Sequence, residues 1–212
     1  TTDIIISDVM MPVKDGITMT KEWRDNISTS HILIVLLTAK TNVDSQIEGI
    51  ELGANDYITK PFSSTYLRVR SNNLIEQRKK LQTYFSDSLT QRKSKIIVKG
   101  GGEASMQVLT AHDQKFIAKL KELMEQHMDN GELMVEDLAL ELNMCRSVFF
   151  NKIKSLFGKS PVEFIRDMRA KKAAELIETG EYSIAEISDM VGYNDPHYFS
   201  KCFKQVFSMT PT

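Results

Sequence analysis

Leu138-Ala-Leu-Glu-Leu-Asn-Met144 and Ile187-Ser-Asp-Met-Val-Gly-Tyr193 are two versions of one pattern, 49 residues apart. Beyond each, Phe149, Ile153, Lys154 and Phe157 find counterparts in Phe199, Phe203, Lys204 and Phe207, now 50 apart. One extra residue in the second turn accounts for the change of offset. Each copy predicts a short helix, a tight turn and a second helix with apolar residues at i, i+4 and i+7 or i+8. That is helix-turn-helix geometry, and it occurs twice.

The local start signals agree. Ser160-Pro-Val-Glu163 and Ser183-Ile-Ala-Glu186 are capping boxes, the first with proline at the opening helical position, and Asp195-Pro196 starts the last helix in the same way. From Val162 to about Thr179 the chain predicts one helix that stops at Gly180 and turns Phe164, Ile165, Met168, Ala173 and Ile177 towards a core. Such a helix holds the two copies at a fixed separation.

With Phe149, Ile153 and Leu156 inward, Ser147, Asn151 and Lys154 fall on the opposite face at about 100° per residue. The second copy gives His197, Lys201 and Lys204 by the same construction. Small, polar and basic groups on one face suit the major groove of DNA, where amides and hydroxyls meet base edges and ammonium groups meet guanine or phosphate. A merely solvated face is the alternative, and the repetition argues against it. Lys159, Arg166, Arg169, Lys171 and Lys172 are open to two readings, phosphate contacts or solvated charge.

Residues 112–212 resemble the DNA-binding domain of AraC/XylS-type regulators, through Val135-Glu-Asp-Leu-Ala139, Phe157-Gly-Lys-Ser-Pro161, Ile184-Ala-Glu-Ile187 and Val191-Gly-Tyr-Asn-Asp-Pro-His-Tyr-Phe-Ser200. The resemblance implies that each second helix enters the major groove, the two reading successive turns of one duplex face. It implies DNA contacts from Arg146, Ser147, Phe150, Asn151 and Lys154, and from Asn194, His197, Tyr198, Lys201 and Lys204. Cys145 stands where that family usually caps with serine, Asn151 where it often has arginine, and the family's final helix after Thr210-Pro211 is absent. Phe150, at the edge of the reading face, is expected to pack, with a thymine methyl contact as the alternative.

The N-terminal half has another grammar. Asp3-Ile-Ile-Ile-Ser-Asp8, His31-Ile-Leu-Ile-Val-Leu-Leu-Thr38 and Asp56-Tyr-Ile-Thr-Lys60 predict buried parallel strands, with helices near 16–26 and 42–52 between them. In such βαβαβ sheets functional groups gather at the carboxyl ends of the strands, where Asp8, Thr38 and Lys60 all sit. A carboxylate can accept a phosphoryl group, a lysine neutralise its oxygens and a hydroxyl bond to one of them. Strand ends that are polar by chance are the competing reading.

Asp8-Val-Met-Met-Pro12 with Asp15-Gly16, Leu37-Thr-Ala39, and Gly53-Ala-Asn-Asp-Tyr-Ile-Thr-Lys-Pro-Phe62 resemble the back half of a response-regulator receiver. The resemblance implies Asp8 as phosphoacceptor, Thr38 as switch hydroxyl, Tyr57 as rotating aromatic and Lys60 as phosphate contact before a cis proline. It also implies Mg²⁺ in the intact receiver, held by Asp8 and the backbone carbonyl of Met10. The first two strands and the acidic pair that holds most of the metal are not in this chain, so no cofactor is expected for residues 1–62 as they stand, and the strand at 3–8 has an open edge.

The expected fold class is therefore α/β, a partial doubly wound receiver with strands three to five, plus an all-α tandem helix-turn-helix domain. The expected division is 1–62 receiver, 63–111 helical stalk and flexible linker, and 112–212 DNA-binding domain. Ser71-Asn-Asn-Leu-Ile-Glu-Gln-Arg-Lys-Lys-Leu81 resembles the connector of hybrid sensor kinases, implying a histidine kinase in the same polypeptide. The chain opens at Thr1 and is expected to be part of something longer.

Its 42% hydrophobic and 26% charged residues suit a globular chain, without an apolar run near the roughly 18 residues of a membrane span and without a signal peptide. The expected setting is cytoplasmic, with a parent protein that could be anchored in the inner membrane. Cys145 and Cys202 are far apart without ligand spacing, and a net charge of −1 does not announce a nucleic-acid partner, so the DNA argument rests on placement. The expected partners are double-stranded promoter DNA, the histidine kinase and a second copy in a homodimer, with no membrane contact. No enzyme activity is expected of this stretch. An aspartyl phosphotransferase would want a second carboxylate two residues after Asp8, where Met10 stands. A third reading makes the receiver part a dimerisation platform alone.

Overall fold

A computed structural model describes residues 2–39, 53–90 and 109–211, which fall in two compact units. The first is built on a parallel sheet of β1 (Ile4–Asp8), β2 (Leu33–Thr38) and β3 (Asp56–Thr59), in the order β1-β2-β3. Ile4 pairs with Leu33, Asp8 with Leu37 and Thr38 with Thr59. Leu33 to Leu36 are at most 2% exposed, as a central strand covered on both faces demands. Ile6, on the edge strand, is 43% exposed. All three predicted strands are present. The helix expected near 42–52 lies outside the described residues.

Helix α1 (Gly16–Asp25) starts where expected, its first turn capped by Asp15, whose carboxylate accepts from the Thr18 amide at 2.7 Å. Gly16 is required by space: a Cβ there would stand 2.4 Å from the Asp8 carbonyl oxygen. Helix α1 ends in a clamp that sequence reading did not single out. Arg24, 7% exposed, donates Nε to Gly53 O at 2.6 Å, Nη1 to Ser30 O and Ile32 O, and Nη2 to Asn55 Oδ1. Asn55 Oδ1 also accepts the Ile34 amide. One guanidinium thus ties α1 to the chain entering both β2 and β3. Helix α2 (Ser64–Thr90) follows β3 as the expected stalk over 63–86, and runs on to Thr90 into the stretch expected as flexible linker from 87; residues 91–108 are not among those described.

The second unit holds α3 (Ala111–Gln126, from Phe116 onward), α4 (Val135–Glu141), α5 (Arg146–Phe157), α6 (Pro161–Thr179), α7 (Ile184–Met190) and α8 (Pro196–Phe207). The repeat seen in the sequence recurs bond for bond. Met144 N–H donates to Ala139 O at 2.8 Å, and its counterpart Tyr193 N–H donates to Ser188 O at 2.9 Å. Each follows a residue in the left-handed region, Asn143 at φ 55° and Gly192 at φ 75°. Asparagine is among the few side chains that tolerate this backbone, and glycine meets it without strain. Helices α5 and α8 end alike, Gly158 and Ser208 turning left-handed and donating to Lys154 O and Lys204 O.

Two apolar clusters hold the repeats. Phe149 packs edge-on to Phe116 and Phe157 against Phe164, while Phe199, Phe203 and Phe207 stack along α8. Buried Ala170, Ala173 and Ala174 let α6 lie close to the second pair. Ser160 and Ser183 cap α6 and α7 as predicted, accepting from the Glu163 and Glu186 amides while those carboxylates accept from the serine amides.

The caps of α5 and α8 differ. Asp195 accepts from the His197 amide at 2.9 Å; Cys145, at φ −73° and ψ 154°, holds the same extended conformation but accepts nothing. Cys145→Ser is expected to stabilise the second unit by about 0.5–1 kcal/mol. Urea unfolding should show a higher midpoint at unchanged slope, and an unmoved midpoint would refute the assignment of the lost cap.

Candidate functional sites: a carboxylate–lysine pair and two outward helix faces

The parallel register brings the predicted polar groups to one end of the sheet. Asp8 closes β1 and forms an ion pair with Lys60, just past β3. Lys60 N–H donates to Thr38 O, and Val9 N–H to Leu37 O, so all three strand ends are stitched together. The Lys60 ammonium, the Met10 amide and the Val9 amide hold the Asp8 carboxyl below the usual carboxylate range against a smaller effect of burial, so it is ionised at neutral pH. Carboxylate and ammonium are each more than a third exposed, open to a reactant from solvent. Thr38 is buried at 1% exposure. Tyr57 is half-buried against Val9, Ile34, Leu36 and Ala54, and its hydroxyl meets no partner among the described residues. The Lys60–Pro61 bond is cis, as the resemblance implied.

Met10 lends its amide to Asp8 Oδ1 at 3.2 Å and is otherwise exposed. No three acidic, histidine or cysteine side chains cluster among the described residues. Asp8 is already paired with Lys60, so these residues do not by themselves fit a Mg²⁺ ion, which prefers six oxygen ligands. The metal would need ligands from elsewhere.

In the second unit, Arg146, Ser147, Phe150, Asn151 and Lys154 stand exposed along α5, with Phe149, Ile153 and Leu156 beneath them. Asn194, His197, Tyr198, Lys201 and Lys204 stand exposed before and along α8, above Phe199 and Phe203. Phe150, expected chiefly to pack, is 39% exposed on the outer side of α5. Its period places it one position past the buried stripe. Tyr198 leans on Tyr193 at 6.0 Å between ring centroids, and hydrogen bonding with the Cys202 thiol pushes its phenol up, keeping it neutral.

The cations left open on the joining helix now separate. Arg169 is buried, donating to Asn130 O at 2.6 Å and Gly192 O at 3.1 Å with its guanidinium 5.5 Å from the Tyr193 ring centroid. Lys159 and Arg166 pair with buried Asp167. Lys172 lies beside Glu175 and remains exposed. Sequence reading also missed a pair at the first reading end: Arg146 Nε lies 2.9 Å from Glu136 Oε1 on α4.

Comparison with known proteins supplies the family. Residues 1–72 match the response regulator receiver domain and residues 138–212 the helix-turn-helix domain. The chain joins a response-regulator receiver segment to an AraC-type helix-turn-helix domain. Over 209 residues it is 37% identical to histidine kinase P4 of Formosa agariphila, a match that covers 99% of this chain and 14% of that protein. The receiver segment is 46% identical over 71 residues to response regulator PleD of Caulobacter vibrioides, covering 32% of this chain and 16% of PleD. The AraC-type domain is similar to the C-terminal domain of AraT, a response regulator from Geobacillus stearothermophilus, at 32% identity and a TM-score of 0.42, over 45% of this chain and 78% of that one. The chain thus spans about one seventh of the length of the kinase relative that matches it throughout. No described helix is long and apolar enough to cross a membrane.

Proposed function

We propose that this chain is the output end of a two-component phosphorelay: Asp8 accepts a phosphoryl group, and the AraC-type domain then binds promoter DNA and regulates transcription. The observation that carries the DNA half is the pair of outward faces on α5 and α8, set on turns with matching hydrogen bonds and joined by the single helix α6. Ser147, Asn151, Lys154, His197, Lys201 and Lys204 are the base- and phosphate-reading groups, flanked by Arg146, Phe150, Asn194 and Tyr198.

In the phosphorelay half the ionised Asp8 oxygen attacks the phosphorus of a phosphohistidine. The new acyl phosphate keeps the phosphoryl group while the imidazole departs, and Lys60 moves from the carboxylate to the phosphoryl oxygens. Thr38 supplies the hydroxyl that senses the group and Tyr57 the aromatic that moves with it. The relative named as a histidine kinase supports a donor in the same polypeptide. Phosphorylation favours homodimers, which gain DNA affinity through two linked binding events. The whole operates in the cytoplasm.

A second reading, in which this receiver segment only brings copies together, needs no phosphoryl group at Asp8, which is already paired with Lys60. The deciding measurement is binding of the chain to promoter duplexes over a salt series, with and without a small-molecule phosphodonor. The proposal expects one preferred duplex, a steep loss of affinity with salt, loss of preference on joint Asn151→Ala and Lys201→Ala substitution, and tightening by phosphodonor that Asp8→Asn abolishes. Preference without any phosphodonor effect selects the dimerisation reading. Equal, weak binding to all duplexes refutes sequence-specific regulation.

A further inference from the structure

The two helix-turn-helix units match in backbone but not in what stands at the first position of the reading helix. In the first unit that residue is Arg146, and Glu136 reaches it from α4 at 2.9 Å. By the offsets of the repeat, the second unit has Ala185 and Pro196 at these two places. An ion pair is therefore built into one unit and excluded from the other.

Stability does not explain it. The side chains are 73% and 46% exposed, and pairs so open to water contribute little to folding. Nor does attraction to DNA, because a carboxylate at the mouth of a reading helix repels phosphates. The geometry suggests a different use. The nearest approach of Glu136 to the Arg146 guanidinium is at Nε, on the side away from the two Nη groups. Those Nη groups are the half of the guanidinium that can donate in parallel to O6 and N7 of one guanine. A long side chain biased towards one arrangement by a neighbouring carboxylate has fewer conformations to lose when it binds, and the N-terminal residues of a reading helix are the ones that meet base edges.

We propose that Glu136 is a positioning residue that holds Arg146 for bidentate reading of one guanine in the first unit's half-site, so that discrimination by the two units is unequal. This rests on the DNA-binding reading above. Arg146 supplies the contact and Glu136 acts only through it.

The test is selection of the 212-residue chain on a random-sequence duplex pool, followed by affinity measurements on the enriched duplex with each base pair changed in turn. Wild type is expected to disfavour replacement of one G·C pair by about tenfold or more. Glu136→Gln should cut that ratio to about twofold at that pair alone, leaving the rest of the profile and the thermal melt unchanged. Arg146→Ala should erase the same preference, with no further loss when the two are combined, and Arg146→Lys, which keeps the charge but lacks the fork, should erase it while retaining salt-dependent binding. A Glu136→Gln chain that binds every duplex more tightly with its preferences intact overturns the proposal, since Glu136 would then only repel phosphate. An unchanged Glu136→Gln profile overturns it equally. A wild-type chain that enriches no sequence overturns the DNA-binding reading itself, and this inference with it.

Discussion

Arg24→Ala is expected to unfold the first unit at temperatures where the second unit stays intact. The substitution removes one side chain and strands three carbonyls at once, those of Gly53, Ser30 and Ile32, while the Asn55 amide oxygen keeps only the Ile34 amide. Burial pushes the Arg24 guanidinium down to about 10, which still leaves it charged near neutrality. Each buried acceptor left without a donor costs about 1–3 kcal/mol, part of it recovered when water enters the vacated space. A net loss of about 3–5 kcal/mol is a large fraction of what a small domain has. Arg24→Lys should rescue little, because one ammonium cannot span acceptors on both the 30–32 and 53–55 segments. Gly53→Ala should fail similarly, since its φ is +100° and a Cβ would stand 2.7 Å from Arg24 Cγ. Limited proteolysis of residues 2–90, with far-UV circular dichroism of the whole chain, reads the outcome; an Arg24→Ala chain that resists protease like wild type refutes the clamp.

Arg169→Ala tests the second large effect and distinguishes two roles that sequence alone left level. If Arg169 met a DNA phosphate, its loss would leave the fold intact and lower the salt dependence of binding by about one ion. Its position gives the opposite expectation. It carries the Asn130 and Gly192 carbonyls and lies over Tyr193, so it braces the turn from which α8 departs. The alanine variant should lose about 2–4 kcal/mol of second-unit stability. At a temperature where it remains folded its salt slope should match wild type. A normal melt with a shallower salt slope would return Arg169 to the DNA interface.

These two arginines mark the boundary of what the sequence revealed. Ser160, Ser183 and Asp195 were legible because a cap depends on residues within three positions of one another, and the repeat was legible because its spacing survives in one dimension. The Asp8 end of the sheet was legible because parallel strands align their carboxyl ends by construction. Arg24 and Arg169 were not, because their acceptors arrive from distant segments and nothing in an arginine's own neighbourhood says that its head is inside. Lys152 is the sharpest instance: helical period places it beside the reading face at Asn151, yet it is fully buried with its ammonium 5.1 Å from the Phe116 ring centroid. Phe150 is the converse, an apolar side chain facing out. The Glu136–Arg146 pair bridges two helices across a turn, and ten residues of separation carry no periodic signal.

The uninterrupted helix α6 has a consequence for the genome rather than the protein. Its 19 residues, helical without a break, make a rod of roughly 28 Å that joins the two reading units. On the DNA-binding reading, a target site that drifts by substitution loses affinity one base pair at a time, about 1–3 kcal/mol per mismatch. A site that gains or loses a single base pair between its half-sites turns the second half-site by about 36° around the duplex axis, given about 10 base pairs per turn, and one unit must let go. Selection on such promoters would therefore tolerate changes of letter and purge changes of length.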